Sequence, residues 1–390
     1  MTPGRISTMP LGTTTSPELA TRLARYADDL RTRGAIRSDA VYAAFATVPR
    51  HRFLRRFHFR ADQFTLAPGE QPPAELLDII YANNSLVTHE GRDGDPMSSS
   101  SGPTVMARML EALDLRQGMR VLEIGAGTGY NAALIAVITG AQVCSIEAGR
   151  VAAANATGSM TDLGLDGQVR VVHGDGYLGD PNGGTWDRII VTCGIAGIPP
   201  RWLDQLAPGG LIVAPIAHAG VHPILVIRTD GGAVTGDVAL WADFMPAAAG
   251  LRPATLFGHD PEHDITARVA YRLTAAAPAV GADRYNDLTC FLGAHDGRTT
   301  RAYVEHPAFD PAGGMTALVE DGAAAWIQHT GDLVVAGDDK ETGPLQARLC
   351  ELTDRWITTG RPAAERWTIA FKSHVELAEP LLTPHHWRLT

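Results

Sequence analysis

Cysteine is scarce in this chain. Four occur in 390 residues, at Cys144, Cys193, Cys290 and Cys350. Their wide spacing, without a C-x-x-C pair, predicts free thiols in a reducing compartment rather than a disulfide framework. Long apolar runs are missing as well. No stretch reaches the roughly 18 apolar residues that a membrane-spanning helix needs. The N-terminus also lacks the basic-then-apolar order of a secretory signal, so the expected compartment is the cytoplasm. Positive charge is in deficit: 33 Lys and Arg against 43 Asp and Glu leave a formal net charge of −10. That balance argues against broad nucleic-acid binding, which needs basic surface, and gives no support for docking on anionic lipid. The rest is ordinary for a globular protein, 45% hydrophobic and 19% charged, with room for two domains or one domain and a large extension.

What is present is a strand that runs into glycines. In Val121-Leu122-Glu123-Ile124-Gly125-Ala126-Gly127-Thr128-Gly129-Tyr130 a short apolar strand meets three glycines at single-residue spacing, and a helical pattern follows. Glycine lets the backbone turn tightly and approach a ligand closely. A dinucleotide site carries G-x-G-x-x-G, with a pyrophosphate on the helix N-terminus. Here the spacing is G-x-G-x-G and the strand carries an acid, Glu123. That suits a ligand without phosphates, and S-adenosylmethionine leads the candidates. Glu147 ends the next predicted strand, where an acid accepts hydrogen bonds from ribose hydroxyls. Gly174-Asp175-Gly176 follows the third, where a carboxylate can meet an adenine amino group. A nucleotide-dependent oxidoreductase is disfavoured by the glycine spacing.

Around this loop the chain predicts an α/β protein. Residues 1–15 read as a disordered tail. Ser16-Pro17-Glu18 then starts a helix, a second helix covers Asp39 to Val48, and residues 16–102 form an N-terminal helical and substrate-loop segment. A loop is expected from Thr88 to Gly102, and Pro103 opens a further helix. Over 103–250 strands alternate with helices as in a doubly wound sheet, at Arg120–Ile124, Gln142–Ile146, Val169–His173, Arg188–Thr192 and Gly210–Pro215. Pro223–Arg228 and Ala233–Leu240 make a hairpin on Asp230-Gly231-Gly232. Residues 251–390 lose that rhythm and read as an α+β extension, with short strands at Met315–Val319, Ala324–His329 and Asp332–Ala336. Leu345, Leu349, Leu352 and Trp356 share one helical face there. No metal site is expected: His259 and His263 fall in a loop, and His385-His386 in a surface tail.

The region from about Val41 to Gly250 resembles the protein-L-isoaspartate O-methyltransferases. The matching segments are Val48-Pro49-Arg50-His51, the glycine loop, Gly174-Asp175-Gly176 and Trp186-Asp187-Arg188-Ile189-Ile190-Val191-Thr192. The stretch from Ile198-Pro199-Pro200 to Leu206-Ala207-Pro208-Gly209-Gly210 completes them. The resemblance implies a Rossmann-like class I methyltransferase sheet and S-adenosylmethionine as the methyl donor. The donor site then comprises Glu123, Gly125, Gly127, Gly129, Tyr130, Glu147, Asp175, Gly176 and Thr192. In the family a Ser followed one residue later by Pro precedes a helix, and Ser101-Gly102-Pro103 matches it. Ser101, with Ser100 beside it, is therefore expected to hold the substrate carboxylate.

Two departures point to a particular branch. The link into the serine motif, His89-Glu90-Gly91-Arg92-Asp93-Gly94-Asp95-Pro96-Met97, is longer and more charged than the family's, and residues 251–390 lie beyond its usual end. These features are similar to the FxLD-system methyltransferases that accompany ribosomally made lanthipeptide and graspetide pathways. There an Asp side chain of a precursor peptide, often cyclised beforehand, is esterified and closes to an aspartimide, which can open to isoaspartate. Residues 251–390 are then expected to recognise the peptide. General isoaspartyl repair is the alternative, and a catalytically idle peptide-binding protein of the same fold is another.

Overall fold

Ser16 caps the first helix as its sequence predicts. Its hydroxyl accepts the Leu19 N–H at 3.2 Å, and Pro17 opens α1 (Pro17–Thr32), which buries Leu23, Tyr26, Ala27 and Leu30. Next come α2 (Asp39–Phe45), β1 (Arg56–Phe59), β2 (Asp62–Thr65), α3 (Ala74–Tyr81), β3 (Leu86–Glu90), β4 (Pro96–Ser100) and α4 (Pro103–Ala112). This is a computed structural model, and it describes residues 16–90, 96–247, 249–253, 262–264, 270–273, 277–307 and 309–390. The expected tail at 1–15 and His259 lie outside the described residues.

The N-terminal segment is less helical than its sequence predicts. Four strands form a sheet in the order β2-β1-β3-β4. The expected loop from Thr88 to Gly102 is instead largely the β3–β4 hairpin, with Val87 opposite Ser99 and Leu86 opposite Ser100. Serines and charged residues carry no apolar alternation, so the strand left no pattern to read.

The central sheet follows: β5 (Val121–Ile124), α5 (Tyr130–Thr139), β6 (Val143–Glu147), α6 (Arg150–Asp162), β7 (Val169–His173), β8 (Trp186–Val191), α7 (Pro200–Asp204) and β9 (Leu206–Pro215). The strands β7, β6, β5, β8 and β9 are neighbours in that order and all parallel. The chain steps from β5 outward through β6 to β7, then returns to β8 on the other side of β5. That reversal leaves a crevice above the carboxyl end of β5, the usual ligand site of such sheets. The strands β10 (Ile224–Asp230) and β11 (Ala233–Leu240) continue the sheet antiparallel, as their hairpin pattern predicts.

Beyond Gly250 come β12 (Glu262–Asp264), β13 (Ala270–Leu273), α8 (Tyr285–His295), β14 (Thr299–Tyr303), β15 (Thr316–Glu320), β16 (Ala323–Ile327), β17 (Leu333–Ala336) and α9 (Asp339–Thr358). The chain ends in β18 (Trp367–His374) and β19 (Leu381–Leu389). Six of these strands form a third sheet, β12-β14-β15-β16-β17-β13. Leu345, Leu349, Leu352 and Trp356 are all fully buried on one face of α9. The last hairpin does not stay with this unit. It crosses back, and β18 pairs with β11, so the central sheet has nine strands among the described residues. The boundary expected at residue 250 therefore does not divide the sheet, because pairing between distant segments leaves no local trace. His385 and His386, expected in a tail, lie exposed on β19. One hydrophobic cluster joins Ile212 and Leu225 of the central sheet with Phe291, Leu349 and Trp367 of the C-terminal unit. Among the described residues no helix is long and apolar enough to cross a membrane.

Truncation after residue 366 tests this shared core. It removes buried Trp367, Ile369 and Leu381, each worth about 1.5–3 kcal/mol, and opens the β11 edge. The expected outcome is aggregated or unfolded protein by size exclusion and circular dichroism. A soluble truncate with an unchanged Tm contradicts it.

Candidate functional site

The glycine loop sits in the crevice above β5, and its neighbours show why side chains are excluded. Gly125 has φ of +95°, and a Cβ there would lie 2.6 Å from Thr192 Oγ1. The Thr192 hydroxyl donates to the Gly125 carbonyl and ties the end of β8 to the loop. A Cβ on Gly129, at φ +85°, would lie 2.7 Å from Met160 Cε and 3.1 Å from Ala156 Cβ, so this glycine sets how α5 packs on α6. Gly127 lies under the serine strand, its Cβ position 3.4 Å from the Ser99 carbonyl oxygen.

Two carboxylates flank the loop. Glu147, at the end of β6, accepts the Gly127 N–H on Oε2 and the Gly149 N–H on Oε1, both at 2.8 Å. It fixes two loops while retaining lone pairs for a ligand. Asp175 follows β7 and accepts the Tyr177 N–H on Oδ1 at 2.9 Å. Its Oδ2 has no partner among the described residues. Gly125, Gly127, Glu147, Asp175, Gly176 and Thr192 line one cavity of about 2000 Å³, which the serine strand and residues of the C-terminal unit also line.

Glu123 departs from the expectation. It does not line the cavity: its fully buried carboxyl accepts the Ser145 hydroxyl and the Asn131 side-chain N–H, the latter at 2.8 Å. Strand alternation turns it away from the crevice. Burial pushes the Glu123 carboxyl up to about 7, and the two hydrogen bonds only partly offset this. Gly129 likewise serves packing rather than the cavity wall. Tyr130 lines the cavity, but its ring is buried against Phe45 and Phe53, with centroids 6.2 and 5.4 Å away.

The serine strand is held by a residue whose role the sequence did not disclose. Arg50 is fully buried and makes five hydrogen bonds. Nε donates to Ser100 Oγ at 3.2 Å and Nη1 to the Ile80 carbonyl at 2.7 Å. Nη2 donates to the carbonyls of Asn84, Ser100 and Ser101 at 3.0, 3.1 and 3.0 Å. Ser100 is thus engaged by Arg50, whereas the Ser101 hydroxyl lines the cavity without a partner among the described residues.

The opposite wall is built from His222, Asp243, Phe244, Met245 and Arg301. His222 Nδ1 lies 3.0 Å from Asp243 Oδ1, and Arg301 Nη1 donates to Asp243 Oδ2 at 2.6 Å. Burial alone would raise the Asp243 carboxyl, but the His222 hydrogen bond and the His222 and Arg301 charges hold it below its usual range. Cys193 also lines the cavity, and burial pushes its thiol up to about 12. Among the described residues, no three His, Cys, Asp or Glu side chains are grouped to hold a metal ion.

The family model for protein-L-isoaspartate(D-aspartate) O-methyltransferase matches residues 23–251. A protein-L-isoaspartate O-methyltransferase of Thermotoga maritima is 36% identical over 218 residues, 55% of this chain and 62% of that relative, so less than two thirds of its length is matched. The Methanopyrus kandleri enzyme of the same name is 33% identical over 213 residues, 54% of this chain and 84% of its own. A solved protein-L-isoaspartate O-methyltransferase aligns over 94% of this chain and 99% of itself at 22% identity, with a TM-score of 0.54. The fold is that of a Rossmann-like class I methyltransferase, and the likeness extends into the C-terminal unit.

Two measurements probe the supports of the site. Arg50→Ala orphans four carbonyls and is expected to destabilise the protein by about 3–5 kcal/mol in denaturant unfolding; a change below about 1 kcal/mol contradicts the role assigned to Arg50. The raised Glu123 carboxyl makes the folded protein hold a proton that the unfolded chain releases. Its stabilising effect is complete below pH 4.5 and is lost as pH rises through about 7. Glu123→Gln should flatten the fall of Tm across that window, and an unchanged slope refutes the assignment.

Proposed function

Because the chain belongs to the protein-L-isoaspartate(D-aspartate) O-methyltransferase family, we propose that it esterifies a peptide side-chain carboxylate with the methyl group of S-adenosylmethionine. The observation that carries this reading is one cavity in which the glycine loop, Glu147 and Asp175 meet the unpartnered hydroxyl of Ser101. The residues suit the methyl donor. Glu147 keeps lone pairs for ribose hydroxyls, Asp175 Oδ2 is open to an adenine amino group, and the bare backbone of Gly125 and Gly127 admits close approach. When bound, S-adenosylmethionine supplies an electrophilic methyl group on a sulfonium.

The protein's own task is positioning. A carboxylate, with a reference pKa of about 4, is ionised at neutral pH and needs no base to attack. Ser101 donates a hydrogen bond that orients one carboxylate oxygen, and Arg50 fixes the strand that carries it. The walls from the N-terminal segment and the C-terminal unit exclude water.

The acceptor is an Asp side chain of a dedicated, ribosomally made peptide, whose ester closes to an aspartimide and can open to isoaspartate. The charged link between β3 and β4 supports this, as does Arg301 reaching the cavity from the C-terminal unit. The C-terminal unit alone does not separate the two readings, since a solved fold covers 94% of this chain. General isoaspartyl repair is the second reading, favoured by the names of the relatives.

Titration calorimetry should show binding of S-adenosylmethionine, weakened roughly tenfold or more, about 1.4 kcal/mol, by Glu147→Ala and by Asp175→Ala. Ser101→Ala should bind the donor normally and slow methyl transfer. No binding by the parent protein leaves only an idle peptide-binding fold. On a peptide panel, a gain of one methyl or loss of one water on Asp precursor peptides, cyclised and linear, supports the dedicated reading. Turnover confined to isoaspartyl peptides overturns it in favour of repair.

A further inference from the structure

Methylation of a carboxylate requires no base, yet the cavity wall holds a histidine bonded to a carboxylate. Asp243 is kept ionised, so it accepts the hydrogen bond and His222 carries its proton on Nδ1. Arg301 clamps the second Asp243 oxygen. In the neutral imidazole this leaves Nε2 as the lone-pair acceptor, the arrangement that orients a general base. Nε2 has no hydrogen-bond partner among the described residues, and His222, though only 2% exposed, lines the cavity. Its place is also telling. The ring lies on Gly194, where a Cβ would come within 2.4 Å of Cδ2 and Nε2. Gly194 is two residues beyond Thr192, whose hydroxyl bonds the glycine loop. His222 therefore stands next to the methyl-donor loop at the end of β8. His173 also lines the cavity, but it is exposed at the end of the outermost parallel strand, with no carboxylate bonded to it among the described residues.

We propose that His222, oriented by Asp243, is the general base that closes the newly formed methyl ester to a succinimide in the same cavity. The proposal rests on the methyl-transfer reading and adds a second activity to it. In this step the backbone nitrogen following the esterified residue attacks the ester carbonyl carbon. The N–C bond forms and the C–OCH3 bond breaks. The amide proton passes to His222 Nε2 and then to the departing methoxide, so methanol leaves and neutral imidazole is restored. Asp243 stabilises the transient imidazolium and Arg301 holds Asp243 in register. His222 is catalytic for closure, and Asp243 is a positioning residue.

The test bypasses methyl transfer. A synthetic peptide carrying an aspartyl β-methyl ester is mixed with excess protein and S-adenosylhomocysteine, and succinimide and methanol are followed over time. Closure is expected to run at least tenfold faster than for the same ester in buffer. His222→Gln should return it to the buffer rate. Asp243→Asn should lose most of the acceleration, and Asp243→Glu should recover part of it. No acceleration by the parent protein, or acceleration undiminished in His222→Gln, overturns the proposal. Failure of the methyl-transfer reading is seen separately, as the absence of labelled methyl on the parent acid peptide.

Discussion

The reversal of strand order at β5 is the constraint on which the rest of the molecule depends. Between β6 on one side and β8 on the other, the carboxyl end of β5 opens into a crevice that no crossover connection covers. Whatever lines that crevice must come close to bare backbone, and the glycine at position 125 is the local answer, since the Thr192 hydroxyl already stands where its Cβ would be. The carboxylate of Glu147 then ties the β5 and β6 loops together through two backbone N–H groups. Function is concentrated here because the topology leaves this place open.

The two flanking units complete the site by different physical means. The N-terminal segment delivers the serine strand, and a buried guanidinium fixes it by hydrogen-bonding four carbonyls and a hydroxyl. A buried cation so fully satisfied rigidifies its surroundings, which a positioning catalyst needs. The C-terminal unit is held by a shared hydrophobic cluster and by the β18–β19 hairpin that returns to the central sheet. It gives the cavity apolar Leu251 and Arg301, whose guanidinium bonds the Asp243 carboxylate that also holds His222.

Much of this was legible in the sequence, and the exceptions share a cause. The parallel strands, the Asp230-Gly231-Gly232 turn and the buried face of α9 were visible because period and turn chemistry are local. The carboxylates Glu147 and Asp175 were visible because strand ends place them at the crevice. Glu123 misled, since an acid on a strand gives no sign of which face it serves until Ser145 and Asn131 are found beneath it. The β3–β4 hairpin was hidden by its serines and charges. Arg50 was read only as part of a matching segment. The His222–Asp243–Arg301 cluster was invisible because its members come from three segments, and Arg301 lies 58 residues from Asp243. Long-range pairing builds the opposite wall and the final hairpin, and it writes no short motif.

The central claim is that this crevice transfers a methyl group to a peptide carboxylate, and the bond formed tests it most directly. The protein is incubated with S-adenosylmethionine labelled in its methyl group and an Asp-containing peptide, and the product is exposed to mild base. The account predicts label on the peptide that leaves as volatile methanol, the behaviour of a carboxyl ester. Label that survives base treatment, as on nitrogen or sulfur, or no transfer to any carboxylate peptide, would contradict it.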